Sequence, residues 1–133
     1  MSLTDFSRNK VQDNLYGATA FTPPANYWLA LSSSNISTSG SNATEPVGNG
    51  YARVQIPNSK SYWTNSTGGC IVNSASIVFV MSSGSWPTIN TLALFDASTS
   101  GSVWAYTTLS TPIVVQTNTT VSFSASGLTF SQS

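Results

Sequence analysis

Through most of the chain apolar and polar residues alternate one for one over short runs, the spacing of half-buried β-strands. Tyr27, Leu29 and Leu31 alternate with Trp28 and Ala30. Residues 51–56 put Ala52, Val54 and Ile56 on one face and Tyr51, Arg53 and Gln55 on the other, and Pro57 stops the run. Residues 77–80, Ile-Val-Phe-Val, are apolar on both faces, which predicts a central strand. Leu92 and Leu94 alternate with Ala93 and Phe95, and Trp104 and Tyr106 share a face. Pro112 opens a run to Val115, Val121 pairs in phase with Phe123, and Leu128 with Phe130. Between these runs lie turn sequences: GSWP at 84–87, STSG at 98–101 and TNT at 117–119. The pattern predicts a mainly β protein of about seven or eight strands, an antiparallel β-sandwich or a jelly-roll-like barrel in one domain over 1–133.

Two stretches break the alternation. Residues 2–17 read as one short N-terminal α-helix: Ser2 caps it with Asp5 three residues on, and Gly17 supplies a left-handed stop. Leu3, Phe6, Val11 and Leu15 fall on one broad apolar face. A helix this short is unstable alone. Its apolar face must therefore dock, either on its own sheet or on a neighbouring subunit. Thr22-Pro23-Pro24 then fixes the angle at which the helix meets the first strand. The second exception is the long loop at 32–50, polar and without periodicity, which reads as an exposed, mobile connector.

Composition changes this picture in one respect. Only 6% of the 133 residues are charged, four basic and four acidic, against about 25% in an ordinary domain. Four of those eight charges, Asp5, Arg8, Lys10 and Asp13, sit on the predicted helix. A formal net charge of zero gives no field to steer nucleic acid or an anionic membrane, and little repulsion between copies. Residues 2–11 are polar with both signs of charge, unlike a secretory leader, and no apolar run approaches the ~18 residues of a membrane span. The composition suits a protein packed against copies of itself or against a larger particle.

The chemistry on offer is thin. Histidine is absent, which removes the usual metal ligand and general base. Cys70, the one cysteine, follows Gly68-Gly69 and reads as a small buried hydrophobe. Asp5 and Asp13 lie about 12 Å apart along a helix, too far for a retaining carboxylate pair. Glu45 lies in the long loop, and Asp96 ends a strand where it can bond its own backbone. Lys10 and Lys60 offer no usable Ser-x-x-Lys arrangement for a hydroxyl nucleophile, and no phosphate-cradling glycine loop is present. The expectation is no enzyme, no cofactor and no metal. Of four tryptophans, Trp28 and Trp104 lie in strand patterns and read as core, whereas Trp63 and Trp86 lie in turn sequences and read as surface anchors.

Five blocks resemble a family of short bacteriophage virion structural proteins, often labelled tail fibre protein, of which some members serve as capsid decoration (cement) proteins. They are the opening LTDFSRNKVQDNLYGATAFTPPANYWLALS, EPVGNGYARV at 45–54, NSASIVF at 73–79, LALFDASTSG at 92–101 and VSFSASGLTF at 121–130. The chain departs from the family where its long loop is rich in Ser and Asn. The resemblance brings no catalytic residues. It implies a virion protein whose partners are the major capsid protein or other virion proteins, with a homo-trimer as the expected assembly. A capsid decoration role is the first expectation, because a non-repetitive chain of this length offers no fibre shaft. A tail fibre, tail-tip or adaptor component, with host-glycan binding at Trp63 or Trp86, is the alternative. The candidate interface residues are Leu3, Phe6, Val11, Leu15, Trp63 and Trp86.

Overall fold

The computed structural model describes residues 1–131. Nine strands and one helix follow in the order β1 (Ser2–Leu3), α1 (Asp5–Tyr16), β2 (Asn26–Ser32), β3 (Val54–Pro57), β4 (Cys70–Val72), β5 (Ile77–Val78), β6 (Trp86–Phe95), β7 (Val103–Val115), β8 (Ser122–Phe123) and β9 (Thr129–Ser131). Seven strands form one sheet in the order β3-β2-β6-β7-β1-β9-β4, and β5 and β8 form a separate ladder. Of the two predicted forms, the chain takes the barrel-like one: the large sheet curls into a half-barrel with a single short helix beside it.

The alternation read from the sequence sets the two faces. Leu29 pairs with Val54 and Leu94, Leu31 with Leu92, and Leu94 with Ala105, so these side chains share the concave face. There they join Ile56, Trp63, Phe79, Trp86, Val115 and Phe130 in the main core. The convex face carries a second, smaller core of Ala30, Ala93, Phe95 and Val103, covered by Ile36 and Ala43. Those covering residues belong to the loop after β2, so the predicted mobile connector is packed structure. Ser32 Oγ accepts the Thr44 N–H at 3.0 Å, and the Ser33 N–H reaches Thr44 O at 2.9 Å. A polar composition concealed this because serine hydroxyls supply the turn bonds a regular element would otherwise make.

The N-terminus departs furthest from expectation. The helix is Asp5–Tyr16, with Thr4 rather than Ser2 as its cap. Ser2 and Leu3 pair instead with Tyr106 and Ala105 of β7, and Ser2 lies parallel to Ser131 of β9, the one parallel pairing in the sheet among the described residues. Their backbone groups are satisfied in a ladder, which leaves Thr4 to accept the Ser7 N–H. Gly17 has an ordinary φ of −103°, and Ala18 at φ 55° makes the left-handed stop. The run at 77–80 is peripheral rather than central, with Ile77 and Phe79 inside and Val78 and Val80 outside. β7 continues through Pro112 because the proline falls where the register against β6 is irregular, between Thr91↔Thr108 and Ile89↔Ile113, and because β1 flanks β7 only at Ala105 and Tyr106. Cys70 is half-buried.

Candidate functional site

The six residues expected at an interface separate into two groups. Trp63 and Trp86 are 7% and 6% exposed and belong to the core, which corrects their reading as surface anchors. Trp63 Nε1 donates to Pro57 O at 3.2 Å while its ring meets Phe130 edge-on at 5.0 Å. Trp86 Nε1 donates to Asn49 O at 3.0 Å, and its ring meets Tyr51 edge-on at 5.3 Å. The end of β3 in one case and a turn residue in the other supply the carbonyl that lets an indole N–H be buried. Neither ring offers an open face for a sugar.

Leu3, Val11 and Trp63 nevertheless come together. Two adjoining cavities of about 320 and 460 Å³ open along the concave face and share Leu3, Tyr27, Ile71, Trp104 and Phe130 as their floor. Trp63 lines the first and Val11 the second. Phe6 stands beside them, edge-on to Trp104 at 5.3 Å, whereas Leu15 is 60% exposed and outside the groove, and Trp86 lies elsewhere in the core. Trp104 is held by Asp96, whose Oδ2 accepts its indole N–H at 3.1 Å. Burial, with the Asp96 charge adding to it, pushes the Tyr27 hydroxyl above its ordinary pKa. Among the described residues Lys60 is the one charged side chain lining the groove, and its Nζ donates to Thr64 O at 3.2 Å. The groove is therefore fit to take apolar side chains or a neutral surface, and it holds no acid–base pair.

The helix is fastened beside this groove by hydroxyls. Thr4 Oγ1 donates to Val103 O and Ser7 Oγ to Trp104 O, each at 2.6 Å, and the Asp5 N–H reaches Thr38 O at 2.8 Å. Ser7 is the helix's only buried residue. The expected apolar docking face is thus replaced at the first turn by a polar one.

Sequence reading missed two clusters. In the first, Glu45 accepts hydrogen bonds from Tyr51 OH at 2.7 Å and from Arg53 Nε and Nη2 at 2.9 and 2.7 Å. Arg53 Nη1 donates to Ala97 O and Ser100 O, and its guanidinium lies 3.6 Å over the Phe95 ring. Burial pulls the Glu45 carboxyl up, but the hydrogen bonds from Arg53 and Tyr51 and the Arg53 charge outweigh it and hold the group below its ordinary value. Burial and the Glu45 hydrogen bond push the Tyr51 hydroxyl far above its own. The cluster ties the long loop to the hairpin at 96–102. In the second, fully buried Asn73 donates to Ala75 O and Ser124 O and accepts the Leu128 N–H, all at 2.9 Å. The signal for both was available: each joins two of the five sequence blocks, 45–54 with 92–101 and 73–79 with 121–130.

Among the described residues no group of three or more His, Cys, Asp or Glu is placed to hold a metal ion, and no helix is long and apolar enough to cross a membrane. No curated protein matches the chain. A family model described as podophage GP4 fiber I protein gp80 matches residues 2–131, so the match takes in all nine strands, the helix, the groove and both polar clusters. The chain belongs to this podophage fiber I protein family and is a structural protein of the bacteriophage virion.

Proposed function

We propose that the chain is a non-catalytic component of the podophage tail fibre, a β-domain that holds neighbouring virion proteins together through the neutral groove on its concave face. The observation that carries this reading is the match to a fiber family along residues 2–131. Support comes from how the carboxylates are used. Asp5 pairs with Arg8, Glu45 pairs with Arg53, and Asp96 is occupied by the Ser102 N–H and the Trp104 indole. In such a setting they serve packing and turn formation, and a structural role follows without any acid–base chemistry.

Capsid decoration is the second reading, with the major capsid protein as partner and a homo-trimer as the assembly. It is favoured by one feature, that the described residues form a curled sheet without the repetitive shaft of an elongated fibre. Quantitative mass spectrometry of purified virions, with immunogold labelling of the chain, separates the two. A few tens of copies or fewer, with label at the tail, is the expected result. Hundreds of copies with label over the head would sink the fibre reading in favour of decoration. Host-glycan binding at Trp63 or Trp86 loses its carriers now that both rings are buried, and a flat glycan array is expected.

A further inference from the structure

We propose that the outward stripe of Val78, Val80 and Met81 is the surface through which one copy of this chain meets another. These side chains are 52%, 61% and 54% exposed, whereas the alternating Ile77 and Phe79 are each 2% exposed. The run is thus written for a strand covered on both faces, and its own chain covers one. Its ladder supplies no second cover, since β8 pairs with β5 edge to edge and the outward side chains stay exposed. A two-stranded ladder alone is marginal in water, so an outer apolar layer against it stabilises the ladder as well as burying the stripe.

Charge decides what the cover is. No Asp, Glu, Lys or Arg occurs from residue 61 to 95, or from 97 to the end of the chain. The stripe and the strands around it thus lack the edge and surface charges by which exposed apolar strands are normally kept apart. A partner bringing fixed charges here would desolvate them with nothing to pair them. The same neutral, hydroxyl-rich face on a second copy brings none, and the chain's net charge of zero adds no repulsion at longer range. Around a symmetry axis the stripe of each copy meets the same stripe of its neighbours, so Val78 and Val80 become interior. The proposal holds for either position on the virion.

Light scattering on the size-separated full chain tests it. The expected mass is a multiple of 14.0 kDa for the parent chain and 14.0 kDa for Val78→Lys/Val80→Lys, with the far-ultraviolet spectrum and melting transition retained. Should the lysine variant fail to fold, Val78→Ser/Val80→Ser repeats the measurement with the side chain that dominates the neighbouring surface. A positive readout comes from Val80→Cys on a Cys70→Ser background, which under mild oxidation should give a disulfide-linked pair. A parent chain of 14.0 kDa at every concentration, stripe variants of unchanged oligomeric mass, or no cross-link would each overturn the proposal. A monomeric parent whose stripe variants fail to join virions would do so too, by showing that another virion protein covers the stripe.

Discussion

The residues that decide this fold's details are small, polar and buried. Asn73 alone satisfies three backbone groups, Ala75 O in its own segment before β5 and Ser124 O and the Leu128 N–H in the segment before β9. Asn73→Asp keeps the size and replaces two donors with a carboxylate facing two carbonyls; it should cost about 3 kcal/mol or more in urea unfolding at neutral pH. An unchanged midpoint would mean the amide is dispensable. Thr91 is the opposite case. It is fully buried, and its Oγ1 is the one buried side-chain oxygen or nitrogen without a partner among the described residues. Thr91→Val is nearly the same shape and removes the orphan hydroxyl, so it should stabilise by about 1 kcal/mol. A lower midpoint would show that the hydroxyl is bonded. Hydrophobic patterning identified Leu29, Leu31, Leu92 and Leu94 because burial follows apolarity. It passed over Asn73, Thr4 and Ser7 because their burial depends on carbonyls from residues 50 to 100 positions away.

At the scale of elements, strands were legible and their connections were not. Period-two alternation is local, so β2, the second half of β6 and the first half of β7 could be placed from the sequence. The long loop owes its order to contacts with β2, β7 and the hairpin at 96–102, none of which has a local signature. Its strongest tie is the Glu45–Arg53 pair, with an Arg53 side chain only 6% exposed. Gly101 shows how closely this hairpin is fitted. With φ at 80°, a Cβ there would come within 2.5 Å of Asp96 Oδ1, the atom that accepts the Ser102 N–H. The pair gives the loop a definite acid response. Because the folded Glu45 carboxyl titrates below its ordinary value of 4.5, its contribution is complete above that value and is lost as pH falls through the lower folded one. Urea unfolding should therefore show the parent chain losing stability below about pH 4.5 and Glu45→Gln following a flatter curve. Parallel curves would show that the pair contributes nothing. At neutral pH Glu45→Gln leaves Arg53 without its counter-charge and should cost about 2 kcal/mol.

For the whole molecule, the decisive fact is where the chain's first residues lie. β1 is two residues long, yet it stands between β7 and β9 in the sheet order and is the only strand that joins them. On one side of it lie β3, β2, β6 and β7; on the other lie β9 and β4, which carry Ile71 and Phe130 into the groove floor. Leu3 lies on that floor, the Met1 amino group donates to Thr129 O, and the Ser131 N–H reaches Met1 O at 3.0 Å. The sequence pattern showed Leu3 as apolar, but a two-residue strand has no periodicity to read, and its pairing partners lie about a hundred positions away. The helix that follows is anchored at its own start, through Thr4 and Ser7 on β7, so its first turn docks on its own chain rather than on a neighbour. Deleting residues 1–3 should therefore do more harm than losing three exposed residues. The sheet would open between β7 and β9, the floor would lose Leu3, and the Trp63 and Phe130 contact would be left on an unsupported pair of strands. The expected outcome is a broad, non-cooperative melt with tryptophan emission shifted to the red, while far-ultraviolet strand signal from the β6–β7 ribbon remains. A single sharp transition at the parent temperature would show that β9 and β4 hold their place without β1, and that the groove does not depend on the N-terminal strand.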